Sequence, residues 1–204
     1  MFTGIIETIG TVVSTERVGG DCRMVFSATP GFLHGANLGD SIATSGVCLT
    51  AVTLTSDTFA ADLSAETLNA TTAASWAVGR SVNLERALTP SKPLGGHMVS
   101  GHVDGVGHLV EKFEDARSWR LVFEVSAALG RYIASKGSIC VDGVSLTVNE
   151  VEDGAWGARF GVNIIPHTAR HTTLGQLTTG QAVNLEVDVI ARYLERLLSG
   201  RETT

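Results

Sequence analysis

The sequence predicts an all-β chain: two tandem, sequence-related six-stranded antiparallel Greek-key barrels followed by a C-terminal amphipathic helix. A long segment occurs twice, its apolar runs are short and alternating, and only the last segment follows a helical period.

The repeat sets the organisation. "MFTGIIETIGTVV" from Met1 returns as "MVSGHVDGVGHLV" from Met98, with Gly4 over Gly101, Gly10 over Gly107 and Val13 over Val110. Without a gap, "RMVF" (Arg23 to Phe26) meets "RLVF" (Arg120 to Phe123), and "SIATSGVCLT" (Ser41 to Thr50) meets "SICVDGVSLT" (Ser138 to Thr147), always 97 positions on. A four-residue insertion moves the offset to 101, where "ETLNATTAASWAVGRSVNLE" (Glu66 to Glu85) meets "HTARHTTLGQLTTGQAVNLE" (His167 to Glu186) with an identical "VNLE" ending. The chain therefore divides into a first barrel with the Pro/Gly linker Thr89 to His97 (1–97), a second barrel (98–187), and a helix with its tail (188–204).

Within each copy, runs such as "GTVVSTE", "RMVFSA", "DSIATSGVCLTAV" and "SVNLERA" alternate apolar and polar between Gly, Asp and Asn, the pattern of antiparallel strands. Six or so short strands leave open edges unless the sheet closes, hence a small barrel. A brief helix is expected in "ATPGFLHGA" and in its counterpart "VSAALGRYIAS". At the end, Val189, Ile190, Tyr193, Leu194, Leu197 and Leu198 recur at helical spacing between Asp188, a suitable cap, and Gly200. That apolar stripe needs a cover, either its own barrel or the same helix of other subunits.

Composition narrows the function classes. A net charge of −6 with no basic run argues against nucleic acid, and no apolar run approaches the roughly 18 residues of a membrane span. The start lacks the positive region of a secretory signal, so a soluble, cytoplasmic protein is expected. Cys22, Cys48 and Cys140 form no C-x-x-C pair, which suits reduced thiols and gives no zinc ribbon.

Two like barrels should build two like pockets, so matched positions that differ mark specialised chemistry. Ile5 becomes His102, Ser45 becomes Asp142, Cys48 becomes Ser145, and Thr50 persists as Thr147. A histidine near Asp142, Ser145 and Thr147 is a candidate base or activator of a nucleophile, with a core or surface role as the alternative. Ser145 and Thr147 share a strand face, whereas Asp142 needs a turn at Gly143 to join them. Cys48 reads equally as core filling. Glu66-Thr67 and His167-Thr168 form a second matched polar pair. "GGHMVSGHVDGVGH" (Gly95 to His108) holds three histidines, but His102 and His108 would lie about 20 Å apart on an extended chain. Only Asp104 stands near them as a further ligand, so no metal is expected. His97 and His108 read as ordinary exposed side chains of a linker and a surface.

"MFTGIIE", "GGHMVSGHVDG", "DGVSLTV", "IIPHTARHTTLG" and "GQAVNLE", in this order and duplicated, resemble the riboflavin synthase alpha-chain family over essentially the whole chain. The resemblance implies a transferase without metal or organic cofactor, a homotrimer joined through the C-terminal helix, and a lumazine synthase as a partner. The reaction implied is a dismutation, in which two molecules of 6,7-dimethyl-8-ribityllumazine exchange a four-carbon unit to give riboflavin and 5-amino-6-ribitylaminouracil. Each barrel would hold one lumazine, with the active site between barrels of neighbouring subunits.

By the same resemblance the first pocket falls on Gly4, Ile5, Ile6, Cys48, Leu49, Thr50, Asp62, Leu63, Ser64, Ala65, Glu66 and Thr67. The second falls on Gly101, His102, Val103, Lys136, Ser145, Leu146, Thr147, Asn163, Ile164, Ile165, Pro166, His167 and Thr168. His102 is expected to transfer the proton, Ser145 and Thr147 to position or activate the attacking group, Asp142 to orient that network, and Cys48 to contact the acceptor ring. "SAETLNATTAASW" departs from its counterpart in lacking the arginine and Leu-Gly of "HTARHTTLG". The rival reading is a non-catalytic, fluorescent lumazine- or flavin-binding protein on the same fold. The full set of polar groups favours the enzyme, and a purely structural double barrel would not need them.

Overall fold

The computed structural model describes residues 1–199. Alternation dictates the first barrel: β1 (Thr8–Val18), β2 (Asp21–Ser27), β3 (Ser41–Thr44), β4 (Val47–Thr50), β5 (Thr53–Leu54), β6 (Thr58–Leu63) and β7 (Ser81–Arg86). Helix α1 (Ala65–Ala70) and a 3-10 turn at Thr72–Ser75 lie between β6 and β7. The ladder runs β4-β3-β7-β1-β2-β6-β5. Since β4 and β5 are one strand interrupted at Ala51 and Val52, the order closes on itself as six strands.

The second copy repeats this with β8 (Gly105–Asp115), β9 (Ser118–Val125), α2 (Ala127–Gly130), β10 (Ser138–Val141), β11 (Val144–Gly154), β12 (Gly157–Ile164), α3 (Pro166–His171) and β13 (Ala182–Val187). A second 3-10 turn, Thr173–Gln176, precedes β13, and the strands close as β10-β11-β12-β9-β8-β13. The four-residue insertion lies in the β11–β12 hairpin, where β11 continues unbroken.

The brief helix expected in both copies forms only in the second. There Ser126 caps α2 by accepting the Leu129 amide. In the first copy "ATPGFLHGA" is a series of turns, because Gly31 and Gly35 adopt φ of +86° and +83° where the second copy has Ala128 and Tyr132. Inward-facing residues fill each barrel. Phe26 stacks on Phe59 at 5.0 Å with Trp76 edge-on, and Phe123 stacks on Phe160 at 5.5 Å.

Helix α4 (Val189–Ser199) starts where Asp188 Oδ1 accepts the Ile190 amide at 2.9 Å. Its polar side is tied to the second barrel through Arg192–Asp104 and Arg131–Glu195 ion pairs of 2.9 and 2.7 Å. Its apolar stripe is not covered by that barrel: Ile190, Tyr193, Leu194, Leu197 and Leu198 remain 54–69% exposed. The expected end at Gly200, and the tail beyond it, lie outside the described residues. No helix among the described residues is long and apolar enough to cross a membrane.

Candidate functional site at the seam between the barrels

The two barrels meet about a local two-fold, and the chain crosses over there. Phe2 and Val99 exchange backbone hydrogen bonds of 2.7 and 3.2 Å, pairing the segments that precede β1 and β8. Deeper in, Asn83 Nδ2 donates to Asp142 O at 2.8 Å and Asn184 Nδ2 donates to Ser45 O at 2.9 Å. Their Oδ1 atoms accept the amides of Thr173 and Thr72 at 2.8 and 2.7 Å. The asparagine of each identical "VNLE" therefore clamps the opposite barrel, and both side chains are buried.

The glutamates of the same motif hold the leading segments. Glu85 accepts from Thr3 N, Thr3 Oγ1 and Gly4 N at 2.6–2.9 Å. Glu186 accepts from Ser100 N, Ser100 Oγ, Gly101 N and His102 N at 2.6–3.1 Å. These charge-assisted bonds, at 1% and 3% exposure, fix the backbone that carries Ile5 and His102.

The crossing exchanges the segments assigned to each pocket. Cys48 N donates to Gly101 O at 2.8 Å, and Ser145 N donates to Gly4 O at 2.8 Å. Glycine is required at both points: φ is +73° at Gly4 and +80° at Gly101, and a Cβ would lie 2.6 Å from the Cβ of Ser145 or Cys48 respectively. Val103 packs on the first core and Ile6 on the second. Gly101, His102 and Val103 thus belong beside Cys48 and the first barrel, while Gly4, Ile5 and Ile6 belong beside Ser145 and the second. This corrects the assignment by sequence copy, because each leading segment, held by the glutamate of its own barrel, reaches across the seam to the strand end of the other.

On the first side, Cys48 is half-buried and Thr50 exposed at the end of β4. Asp62 is exposed and held by Arg23 through two bonds of 2.7 and 2.8 Å, which keep its carboxyl below the usual range. Ser64 caps α1 by accepting the Thr67 amide, Asp21 accepts the Ala65 amide, and Glu66 is exposed in the first turn. The imidazole of His102 is exposed. Leu49 and Leu63 point into the core, as do Leu146 and Ile164 on the other side, so these four can meet a ligand only through backbone.

On the second side, Ser145 Oγ lies 2.7 Å from His97 Nδ1. The linker histidine, read from sequence as an exposed side chain, is half-buried, with Nε2 enclosed and unpaired among the described residues. Burial pushes its pKa below the ordinary value, so the neutral imidazole can accept a proton at Nδ1 or offer one, according to tautomer. Sequence comparison missed it because the linker has no counterpart in the other copy. Its position directly before the repeated Met98 was the only available signal.

Thr147 is exposed opposite Ser138, and Lys136 is exposed at φ +67°. Asn163 Oδ1 is buried with no hydrogen-bond partner among the described residues. Ile165 is exposed, Pro166 begins α3 ahead of half-buried Thr168, and His167 stacks on His171 at 4.1 Å. Asp142 makes no hydrogen bond to His102 or Ser145 among the described residues: its Oδ1 accepts the Asn184 amide at 2.8 Å inside the seam. Burial pushes its pKa up to about 7. A positive φ of 45° at Asp142 turns the carboxyl inward.

Fold and seam define a duplicated-barrel protein whose two copies present chemically unequal groups at matched positions. The family model for the lumazine binding domain matches residues 3–87 and 100–188. The chain is 45% identical to riboflavin synthase of Photobacterium phosphoreum over 97% of its own length and 89% of that protein. It is 45% identical to the Mycobacterium tuberculosis riboflavin synthase over 97% and 98%, and 37% identical to that of Bacillus subtilis over 97% and 90%. Among solved structures, LumP complexed with riboflavin superposes with a TM-score of 0.83 at 25% identity, covering 92% of this chain and 99% of that one. LumP complexed with 6,7-dimethyl-8-(1'-D-ribityl) lumazine gives 0.81 at 24% identity. The chain belongs to the riboflavin synthase family.

Proposed function

We propose that this chain dismutates 6,7-dimethyl-8-ribityllumazine, one molecule held by each barrel, and releases riboflavin and 5-amino-6-ribitylaminouracil. The observation that carries the reading is identity with riboflavin synthases over 97% of the chain, at a level well above that to LumP. A binding protein alone is therefore not the favoured reading.

The two sides of the seam divide the work. The reaction needs a proton removed from the C7 methyl of one lumazine, a nucleophile added to the other, and the rings held face to face. Ser145 with neutral His97 is a hydroxyl–base pair of the kind that activates a nucleophile, either Ser145 itself or a water it holds. His102, beside Cys48, supplies a second titratable group on the other side for the methyl proton. Thr50 and Thr147, exposed at matched positions of β4 and β11, offer hydroxyls to the polar edges of the rings. Exposed Ile5 and Ile165 offer apolar surface against which a ring can lie. Asp142 acts through the seam, by holding Asn184.

The bare stripe of α4 supports a homotrimer in which three helices cover one another and the first barrel of one subunit faces the second barrel of the next. Cytoplasmic location, and lumazine synthase as a partner, accompany this reading. Purified protein, incubated with the lumazine and no added metal or cofactor, should form half a mole of riboflavin per mole consumed. Tight binding without riboflavin would refute the assignment.

A further inference from the structure

The end of the seam away from Phe2 and Val99 opens into a groove of about 290 Å³, lined by Arg80, Ser81, Thr173, Gln176, Leu177 and Gln181 among others. Arg80 and Gln181 occupy matched positions of the two copies, so the groove straddles the local two-fold. The copies differ here in one respect, the partner of a buried threonine hydroxyl.

In the first barrel Thr72 Oγ1 accepts the indole N–H of Trp76 at 3.1 Å. The matched pair in the second barrel is Thr173 and Leu177. Leucine is smaller than tryptophan and has no donor, so Thr173 Oγ1 is buried with no hydrogen-bond partner among the described residues. The residue itself is anchored, since its amide donates to Asn83 Oδ1 at 2.8 Å. Across the groove, the Arg80 guanidinium makes no side-chain hydrogen bond or ion pair among the described residues. The carboxyl whose charge reaches it, Asp142, is buried and partly neutral near pH 7. Gln181 Oε1 accepts the Thr178 amide at 2.7 Å, which leaves the Gln181 amide N–H groups as donors toward the groove.

An unpaired guanidinium, an unpaired buried hydroxyl, a second hydroxyl on Ser81 and a carboxamide donor line a space too polar for an apolar ligand. We propose that this groove binds a tetrahedral oxyanion, either inorganic phosphate or the phosphate monoester of a small metabolite, on Arg80 and the hydroxyls of Thr173 and Ser81. Thr173 lies five positions after Thr168 on the same α3–turn unit. An anion here would steady one wall of the second pocket without entering it.

Calorimetric titration of the full chain at fixed ionic strength, with inorganic phosphate and then glycerol 3-phosphate, tests this. One saturable site is expected. Tighter binding of the monoester would assign the site to a phosphorylated metabolite, and equal binding to the free ion. Thr173→Val and Arg80→Gln should each weaken it by about tenfold or more. Leu177→Trp rebuilds the first copy's arrangement and should abolish binding while riboflavin formation continues. Absence of saturable heat with both anions, or affinity unchanged by Arg80→Gln and Leu177→Trp, overturns the proposal. Arg80→Gln alters a half-buried surface position and keeps the test decisive if Leu177→Trp does not fold.

Discussion

Glu186→Ala tests whether the seam, rather than either barrel, sets the geometry of the site. The carboxylate accepts four hydrogen bonds, from Ser100 N and Oγ, Gly101 N and His102 N. Alanine removes every acceptor. The Ser100 hydroxyl can turn to water and the His102 amide is near the surface, but Gly101 N stays buried and Ser100 N partly so. A buried donor left unpaired costs about 1–3 kcal/mol, and a bond to a charged acceptor contributes about 1.5–3 kcal/mol. Together these give a loss of about 3–5 kcal/mol, a large part of a typical 5–15 kcal/mol stability. Urea unfolding followed by tryptophan fluorescence and by far-UV circular dichroism should show the midpoint falling. Glu186→Gln, which keeps the shape but turns an amide toward the donors, should fall between. In the folded fraction turnover should drop for both, because the backbone that carries His102 beside Cys48 is released. A loss under about 1 kcal/mol with full turnover would refute the reasoning.

Further outcomes follow from particular groups. His97 has a folded pKa below its unfolded value of about 6.5, so its neutral form contributes stability that is full above that value and lost as pH falls below it. His97→Phe should flatten the acid limb of the stability profile over that range and lower turnover by about tenfold to a thousandfold, measured as riboflavin formation against pH. Asp142 behaves oppositely. Its folded pKa of about 7 lies above the unfolded 3.8, so stability is full below the unfolded value and lost as pH rises through 7. Asp142→Asn keeps an acceptor for the Asn184 amide and should raise the unfolding midpoint at pH 8 but not at pH 4. An equal shift at both pH values would show that its charge does not matter. Leu194→Glu together with Leu197→Glu, on the bare stripe of α4, should yield monomers by analytical ultracentrifugation and little riboflavin. Intact trimers would place the oligomer contact elsewhere.

Much of this architecture was readable from the repeat. Offsets of 97 and 101 assigned most strands of one barrel to a partner in the other, and the shift between them placed a four-residue insertion that the structure shows in the β11–β12 hairpin. Matched positions also exposed Cys48 against Ser145 and Ile5 against His102 as the unequal pairs. The periodic stripe of α4 was legible, as was its Asp188 cap. His97 was not, since a linker residue has no counterpart to be compared with. The "VNLE" identity was visible, but its meaning was not: asparagine and glutamate recur because each copy needs the same clamp.

The sequence by itself determined what local pattern and repetition can determine, namely strand number, closure of each barrel, the helix, and which matched residues differ. Those features rest on side-chain alternation and on burial within about ninety residues of chain. Only the tertiary structure decided that Gly4 and Ile6 reach the second barrel and Gly101 and Val103 the first, that Ser145 meets His97, and that Asp142 turns into the seam. The physical reason is that these contacts join residues 42–141 positions apart about a two-fold axis, and no one-dimensional period encodes a crossing of that kind.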